Sequence, residues 1–549
     1  MTINKHDFKE ISRLVAELLV IRASGHLFDS QREYPEWEIE NSKLKRLIQD
    51  GLGGVILLGG NTLELQKRTE ILRNWTGNNI LICADVEEGI GQRFPGGSDL
   101  VPPIALGILY QNRPEEAILL AEEYGRCIGR EARKIGLNWV LAPVADINTN
   151  KYNPVINIRS WGETNTVVSD LTCAFNSGLC SEGILSCAKH FPGHGDTSID
   201  SHLELPILNY SLEELKKREL IPFIRLIESG VDSIMSGHVL LPKIDSNYPA
   251  TLSSIFLNNL LRKDLKYNGL VVTDALIMKA ISYKYGSGEA ALMAFKAGAD
   301  LIMMPGKPYE AISTISNEIY SGKIPISRLY HSLERRKVAL QKINNYKKNF
   351  PAKETNCSLE IIDSQSINFS HSLISKTIEV RNPQAYIEIN GTNIIQIDEL
   401  FKSTYLAKGS PAILLPQNIG CETVLLHSLG VSPWTNKSST PLYLDRFRKG
   451  SFLIQIFSRG NPFKGELITH ELWYNVLRQL LKRNLLSGLV VYGSHYLWND
   501  LVKALPDNMP CAYTPGYMLE AQRQVLTTLF PNCISSKQHL KQKVDVFTS

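Results

Sequence analysis

The chain has 549 residues, of which 43% are hydrophobic and 21% charged, and its formal net charge is +4. That length exceeds one ordinary core, so two or three domains are expected, with the composition of a soluble globular protein. A charge this small, with no dense Lys/Arg stripe, argues against nucleic acid or another polyanion as partner.

At the N-terminus, Met1 to Glu10 is polar with both charge signs, and the apolar run Leu14–Ile21 is interrupted by Glu17. This is neither a signal peptide nor a membrane span, and no later stretch reaches about 18 uncharged apolar residues. The nine cysteines are scattered, odd in number and free of CxxC spacing. A reduced, cytoplasmic setting with no membrane partner is therefore expected.

Short β-branched runs then recur at Val20–Ser24, Gly54–Leu58, Ile80–Asp85, Asn138–Ala145, Ile184–His190, Asp232–His238, Leu270–Asp274 and Ala299–Met304. Helical patterns separate them, among them Thr62–Asn74, Glu115–Ile135, Leu212–Glu228 and Gly288–Lys296, and Ser211 with Glu214 forms a capping box for the third. Continuous apolar strands alternating with amphipathic helices imply a parallel sheet covered by helices, and eight units predict a (β/α)8, TIM-like barrel.

The polar residues cluster at the strands' carboxyl ends: Asp85-Val86-Glu87, Asp146, Lys189-His190, Ser236-Gly237-His238 and Asp274. In such a barrel these ends converge on one mouth, where βα loops build active sites. A single strand-end Asp often only caps the next helix. Five strands aiming polar groups at one mouth is a stronger signal.

A composition shift near residue 345 divides the chain into a barrel over 1–345, a polar linker over 346–360 and a smaller α/β domain over 361–549. In the last, strand-like runs fall at Asn393–Ile397, Ala412–Leu415, Phe452–Phe457, Gly488–Tyr492 and Cys511–Thr514, with helical patterns at His470–Lys482 and Met518–Leu529. This predicts a three-layer sandwich around an open parallel sheet.

The densest polar cluster runs from Lys189 to His202 and contains Pro192, Gly193 and Gly195, so it must be a loop. Asp200 and His202 lie two apart. On an extended segment they share a side, so the carboxylate can fix the imidazole tautomer and raise its proton affinity. An Asp at the end of an apolar strand, as at Asp274, is costly to bury unless its charge is used. Opposite a proton donor it suits attack on an anomeric carbon, and Lys189 and Arg159 are expected to help keep it ionised. Lys189, Arg159, Arg93 and Asp85 carry the donors and acceptors that sugar hydroxyls need. In a rival reading, His190, His194, Asp196, Asp200 and His202 ligate a metal, which leaves the strand-seven Asp unexplained. His238 reads as a core or supporting histidine, His6 as a surface residue and Lys347–Lys348 as solvated.

Lys-His-Phe-Pro-Gly-His-Gly-Asp-Thr at 189–197 followed by Asp200-Ser201-His202 resembles the signature of glycoside hydrolase family 3 β-N-acetylglucosaminidases of the NagZ type. Gly269–Met278 is similar to that family's nucleophile strand. Asp85–Phe94 and Asn153–Gly162 resemble two further family segments, so the likeness covers most of residues 15–340. The resemblance implies a retaining exo-β-N-acetylglucosaminidase without metal or cofactor. In it Asp274 is the nucleophile, His202 the acid/base and Asp200 its partner, while Asp85, Arg93, Arg159, Lys189 and His190 hold the sugar. It further implies a GlcNAc–anhydro-N-acetylmuramic acid muropeptide substrate from cell-wall recycling, and a flavodoxin-like second domain. Three positions depart from the family: Glu88 for the first Gly of a pair, Gly91 for Val and Trp161 for Phe. Phosphorolysis, a broader family 3 β-glycosidase and a catalytically dead sugar-binding protein stand as alternatives.

Overall fold

The computed structural model describes residues 7–77, 79–197, 201, 204–349, 362, 364–384, 391–397, 405–426, 447, 450–459 and 470–531. Two compact units separate between Ile367 and Asn368.

The first unit contains eight short strands: β1 Leu19–Ser24, β2 Gly54–Leu58, β3 Leu81–Ala84, β4 Trp139–Val140, β5 Cys187–Phe191, β6 Ser233–Ser236, β7 Leu270–Thr273 and β8 Ile302–Met303. Each coincides with an expected run. They form two parallel arcs, β4-β3-β2-β1-β8 and β5-β6-β7. Parallel bridges Trp139↔Leu185 and Val144↔Lys189 join β4 to β5, and Val272↔Leu301 joins β7 to β8. The arcs thus close into the expected eight-stranded barrel. β4 is shorter than expected because Pro143 has no amide to give the ladder. Its extension still meets β5 through the Ala145 amide on the Lys189 carbonyl, 2.7 Å, and the Lys189 amide on the Pro143 carbonyl, 3.1 Å.

The helices follow the expected pattern with one break. Ser211 caps Leu212–Lys217 with the predicted box, its hydroxyl accepting from the Glu214 amide. The single helix expected to Glu228 is instead two, the second being Leu220–Glu228. Arg218 leaves helical geometry at φ −131°, ψ −73°, and its side chain turns to Asp196 and Glu219.

At the amino-terminal end of β8, buried Asp300 gathers cations from two helices. Its Oδ1 accepts from Ser332 at 2.7 Å and from Arg335 at 3.1 Å, with Arg328 at 3.6 Å. Its Oδ2 accepts from the Val271 amide at 3.0 Å and pairs with Arg262. This ties helix Ile326–Asn349 to the barrel.

The second unit is a six-stranded sheet: β9 Glu379–Arg381, β10 Thr392–Gln396, β11 Glu422–Leu426, β12 Phe452–Ser458, β13 Leu486–Gly493 and β14 Cys511–Thr514. The order is β11-β10-β12-β13-β14-β9, parallel except for the antiparallel edge strand β9. Without β9 this is the 2-1-3-4-5 order of flavodoxin-like sheets. Alternate residues feed opposite cores, as strand geometry requires. Ile394, Ile454, Leu489 and Tyr513 pack with Trp473 and Trp498 on one face. Ile395, Leu453, Val490 and Ala512 pack with Val525 and Leu529 on the other.

Ala412–Leu415, expected as a strand, lies in the helix Pro411–Asn418. Pro411 sits in its first turn, where a missing amide costs nothing, and a four-residue apolar run cannot by itself distinguish strand from buried helix. No helix among the described residues is long and apolar enough to cross a membrane.

Candidate active site

The carboxyl ends of β3, β4, β5 and β7 carry the mouth's polar groups. The key charge relay starts at Glu87, just past β3, which is buried. Arg159 grips its carboxylate with two parallel hydrogen bonds, Nε and Nη2 each at 2.8 Å. Lys189 Nζ reaches the same carboxylate at 2.6 Å and Asp85 Oδ1 at 2.7 Å. Burial alone would neutralise Glu87, but Arg159 and then Lys189 outweigh it and hold its carboxyl well below the usual range. Burial likewise opposes the charge on Lys189 and on Arg159. For Lys189 it is outweighed by Asp85 and Glu87, for Arg159 by Glu87, and both cations stay raised. The chain ends at Asp85, whose side chain is 36% exposed. Arg93, also exposed, donates from Nε to the Asp85 carbonyl at 3.1 Å. Within this group Asp85 and Arg93 hold the open polar surface, while buried Lys189 and partly buried Arg159 are engaged by the carboxylates.

A second group is built on Asp146, beyond β4 and wholly buried. It accepts from the His190 ring Nδ1 at 2.7 Å and from the His194 amide at 2.8 Å. Burial is again outweighed, first by His190, and the Asp146 carboxyl stays lowered. Such a contact fixes which ring nitrogen of His190 carries the proton. His194 stacks edge-on to His190 at 6.0 Å, and burial pushes its imidazole down to about 4, leaving it neutral at pH 7.

The loop after β5 is pinned at its base. Buried Asn153 donates from Nδ2 to the carbonyls of His194 and Gly195, both at 2.9 Å. Gly195 lies so close to Ile147 that a Cβ there would stand 1.7 Å from the Ile147 carbonyl oxygen, so only glycine fits. Gly193, at φ +126°, rests against Glu219. Asp196 is held by Tyr210 and by Arg218, whose Nη2 stands 3.3 Å away. Asp200 and His202, the proposed dyad, lie outside the described residues, as does His6.

Asp274 follows β7. Its amide donates to the Ser236 carbonyl at 3.1 Å, and its Oδ1 accepts from the Ala275 amide at 2.7 Å. Its charge reaches His194 and Cys187, which places it on the β5 side of the mouth. Lys189 and Arg159, expected to stabilise Asp274, are engaged by Asp85 and Glu87. Of the rival metal set, His190 is bound to Asp146, His194 Nδ1 to Thr197 at 2.8 Å, and Asp196 to Tyr210 and Arg218. His238 is buried with its Nε2 3.1 Å from the Ala275 carbonyl.

The structure therefore brings Arg159 and Lys189 onto the Glu87 carboxylate, links Asp85 to it through Lys189 and Arg93 to the Asp85 carbonyl, and places His190 on Asp146. Sequence reasoning gave no role to the residues at the centre, Glu87, Asp146 and Asn153. Asp146 and Glu87 stood at strand ends like Asp85, and that position was the available signal.

The sequence matches the glycosyl hydrolase family 3 N-terminal domain over residues 11–338 and the bacterial glycosyl hydrolase family 3 C-terminal domain over residues 384–531. A β-hexosaminidase from Hydrogenovibrio crunogenus is 30% identical over 306 residues, covering 55% of this chain and 85% of that protein. One from Nitrosomonas eutropha is 34% identical over 265 residues, 47% of this chain and 75% of that protein. β-Hexosaminidase A of Pseudoalteromonas piscicida is 33% identical over 276 residues, but the match spans only 46% of each chain. Among solved structures, a family 3 β-N-acetylglucosaminidase from Paenibacillus sp. FPU-7 superposes with a TM-score of 0.76 at 24% identity, covering 95% of this chain and 96% of that one. The β-glucoside phosphorylase BglX superposes with a TM-score of 0.76 at 18% identity, covering 95% and 91%. At those identities the two structures establish the fold alone, a barrel followed by an α/β domain. With both domain matches in order along one chain, this protein belongs to glycosyl hydrolase family 3.

Proposed function

We propose that the protein is a retaining exo-β-N-acetylglucosaminidase that releases terminal β-linked GlcNAc. The reading rests on one observation above all: a carboxylate at the end of β7, Asp274, shares the barrel mouth with a charge-compensated group that leaves Asp85 and Arg93 open. The β-hexosaminidase names of its relatives supply the substrate class.

In the first step Asp274 attacks C1, the C1–O glycosidic bond breaks, and His202 gives its proton to the leaving oxygen. In the second, His202 takes a proton from water, whose oxygen forms the new bond to C1 as the Asp274 ester breaks. Asp200 orients the His202 ring. Asp85, Arg93 and His190 meet the sugar, with Lys189 and Arg159 fixing the first of these from behind. Fragments of peptidoglycan carrying GlcNAc–anhydro-N-acetylmuramic acid, met in the cytoplasm, are the proposed natural substrate.

Incubation with a fluorinated N-acetylglucosaminyl donor, followed by peptide mass spectrometry, tests this. The label is expected on the peptide containing Asp274, and label on any other residue would end the assignment. His202→Ala is expected to lose about 10²–10⁴-fold in turnover. Release of sugar 1-phosphate only when phosphate is supplied would replace hydrolysis by phosphorolysis.

A further inference from the structure

The loop after β5 leaves and rejoins the barrel on fixed tracks. On the way out, Asn150 Nδ2 donates to the Thr197 carbonyl at 3.3 Å, and Thr197 Oγ1 lies 2.8 Å from His194 Nδ1. On the way back, the chain runs beside the extension of β6. There the Leu208 amide donates to the Leu240 carbonyl and the Leu240 amide to the Pro206 carbonyl, both at 2.9 Å. Asp200 and His202 fall in sequence between these two anchored stretches.

A cluster of side chains ties the two tracks to each other. Tyr210, on the return, donates its hydroxyl to Asp196 on the way out, 14 residues earlier. Arg218 Nη2 donates to the Tyr210 oxygen and, at 3.3 Å, to Asp196 Oδ2. Its guanidinium lies 4.8 Å from the Tyr210 ring centre, and its Nε donates to Glu219 Oε1 at 2.6 Å. Glu219 in turn backs the start of the loop, where a Cβ on Gly193 would stand 2.9 Å from Glu219 Cβ and 3.0 Å from Oε2. A span tied at its ends over this length is an Ω-loop, a class of roughly 6–16 residues with many functional members.

Folding alone does not call for this arrangement. The helix from Leu212 has the apolar spacing to run on to Glu228, yet it breaks at Arg218. The Asp196 and Arg218 side chains are 32% and 38% exposed, and an ion pair so open adds little to stability. Glu219 is 1% exposed, and its Oε2 has no hydrogen-bond partner among the described residues, a costly state for a carboxyl group. The interrupted helix and the half-paired buried acid are each unfavourable by themselves. What they secure is the place of Arg218 between the two legs of the loop.

We propose that Asp196, Tyr210, Arg218 and Glu219 form a clasp across the neck of this loop, as positioning residues that fix where its acid/base is presented and do not themselves touch substrate. The inference rests on the reading of His202 as acid/base, because a clasp at the neck affects rate only if the loop delivers a reacting group. A displacement of about 1 Å in such a group can cost on the order of 10²-fold in rate.

Two glycosides of N-acetylglucosamine read the clasp. The methyl glycoside must be given a proton as its alcohol leaves, whereas the dinitrophenyl glycoside leaves as a stable anion and needs none. In Asp196→Ala, kcat/KM for the methyl glycoside is expected to fall about 10–100-fold, while that for the dinitrophenyl glycoside stays within about threefold of wild type. Tyr210→Phe keeps the ring against Arg218 and should show the same selective loss to a smaller degree. Asp196→Asn, which retains an acceptor for Tyr210, should recover part of it. Equal losses on the two glycosides, or no loss on either, would overturn the proposal. Amide hydrogen exchange over residues 197–209 reads the clasp without turnover. Exchange there should quicken about tenfold in Asp196→Ala, and an unchanged rate also overturns the proposal. Failure of the wild type on both glycosides, with this exchange difference intact, would count against the glycosidase reading alone.

Discussion

The barrel holds two buried carboxylates surrounded by cations, one at each end, and they make opposite use of the same chemistry. At the amino-terminal end, Asp300 has both oxygens occupied by Ser332, Arg335, Arg262 and the Val271 amide, and the most open member, Arg335, is 28% exposed with its guanidinium turned in on the carboxylate. At the mouth, Glu87 is as deeply held by Arg159 and Lys189, but the group runs on to Asp85 and Arg93, which are exposed. Charge and burial therefore do not separate a structural cluster from a functional one. What separates them is whether a member keeps a face free for something else. Barrels place stability at one end and chemistry at the other, and here a single criterion reads both.

The largest expected effect breaks the closed end. Asp300→Ala leaves three guanidinium groups without their buried partner, which typically costs about 3–5 kcal/mol. Chemical denaturation should show that loss, while kcat measured well below the unfolding transition stays within about twofold of wild type. A kcat that fell with stability would erase the distinction between the two ends.

The next effect concerns pH and sharpens the mouth. His194 is held down at about 4, below its ordinary value of 6.5. The unfolded chain then binds the extra proton between those values, so stability is full above pH 6.5 and is lost as pH falls toward 4. Glu219 behaves oppositely. Burial raises its carboxyl from 4.5 to about 7 against the pull of Arg218, so its share is full below pH 4.5 and is lost as pH rises through 7. Each contribution is at most about 3 kcal/mol, and in the wild type they offset one another. Glu219→Gln should therefore steepen the loss of stability on acidification, and His194→Gln should reverse the slope. Parallel stability–pH curves for the two variants would show that neither group titrates as its surroundings demand.

Much of this fold was legible in the sequence. Short β-branched runs such as Gly54–Leu58 and Leu270–Thr273 suit buried parallel strands, and it was their regular return between helical patterns that gave the barrel. The errors have local causes. Ala412–Leu415 was too short to show a period, and the break at Arg218 exists to make contacts with Asp196, 22 residues away, that no periodicity records. The site divides in the same way. Asp85, Lys189 and His190 were visible as strand-end residues within a distinctive motif. Which groups hold which was not, because Glu87 meets Arg159 across 72 residues and Lys189 meets Asp85 across 104.

A smaller effect tests the open end directly. Asp85→Ala removes an exposed charge yet leaves Lys189 its bond to Glu87 at 2.6 Å. Stability should change by less than about 1 kcal/mol. Loss of one charged hydrogen bond to substrate, about 1.5–3 kcal/mol, should lower kcat/KM by roughly 10–150-fold. A melting temperature that dropped while kcat/KM held would place Asp85 with Asp300.

The smallest effect carries the criterion into the second unit. There the buried polar network is neutral: Tyr492 donates to Gln455 Oε1 at 2.7 Å, and Gln455 Nε2 donates to Asn393 Oδ1 at 2.8 Å and to the Ala412 carbonyl at 2.7 Å. All three side chains are buried, and burial keeps the Tyr492 phenol raised well above its ordinary value. With no member exposed, the network should serve packing between β10, β12 and β13 alone. Tyr492→Phe removes the hydroxyl but keeps the ring that stacks on Phe457 at 4.0 Å. The cost should be about 1 kcal/mol, the worth of one neutral hydrogen bond, with kcat and KM unchanged on the same substrate. A clear fall in kcat/KM would mean that a fully closed network can still act on catalysis, and exposure of a member would no longer mark the functional cluster.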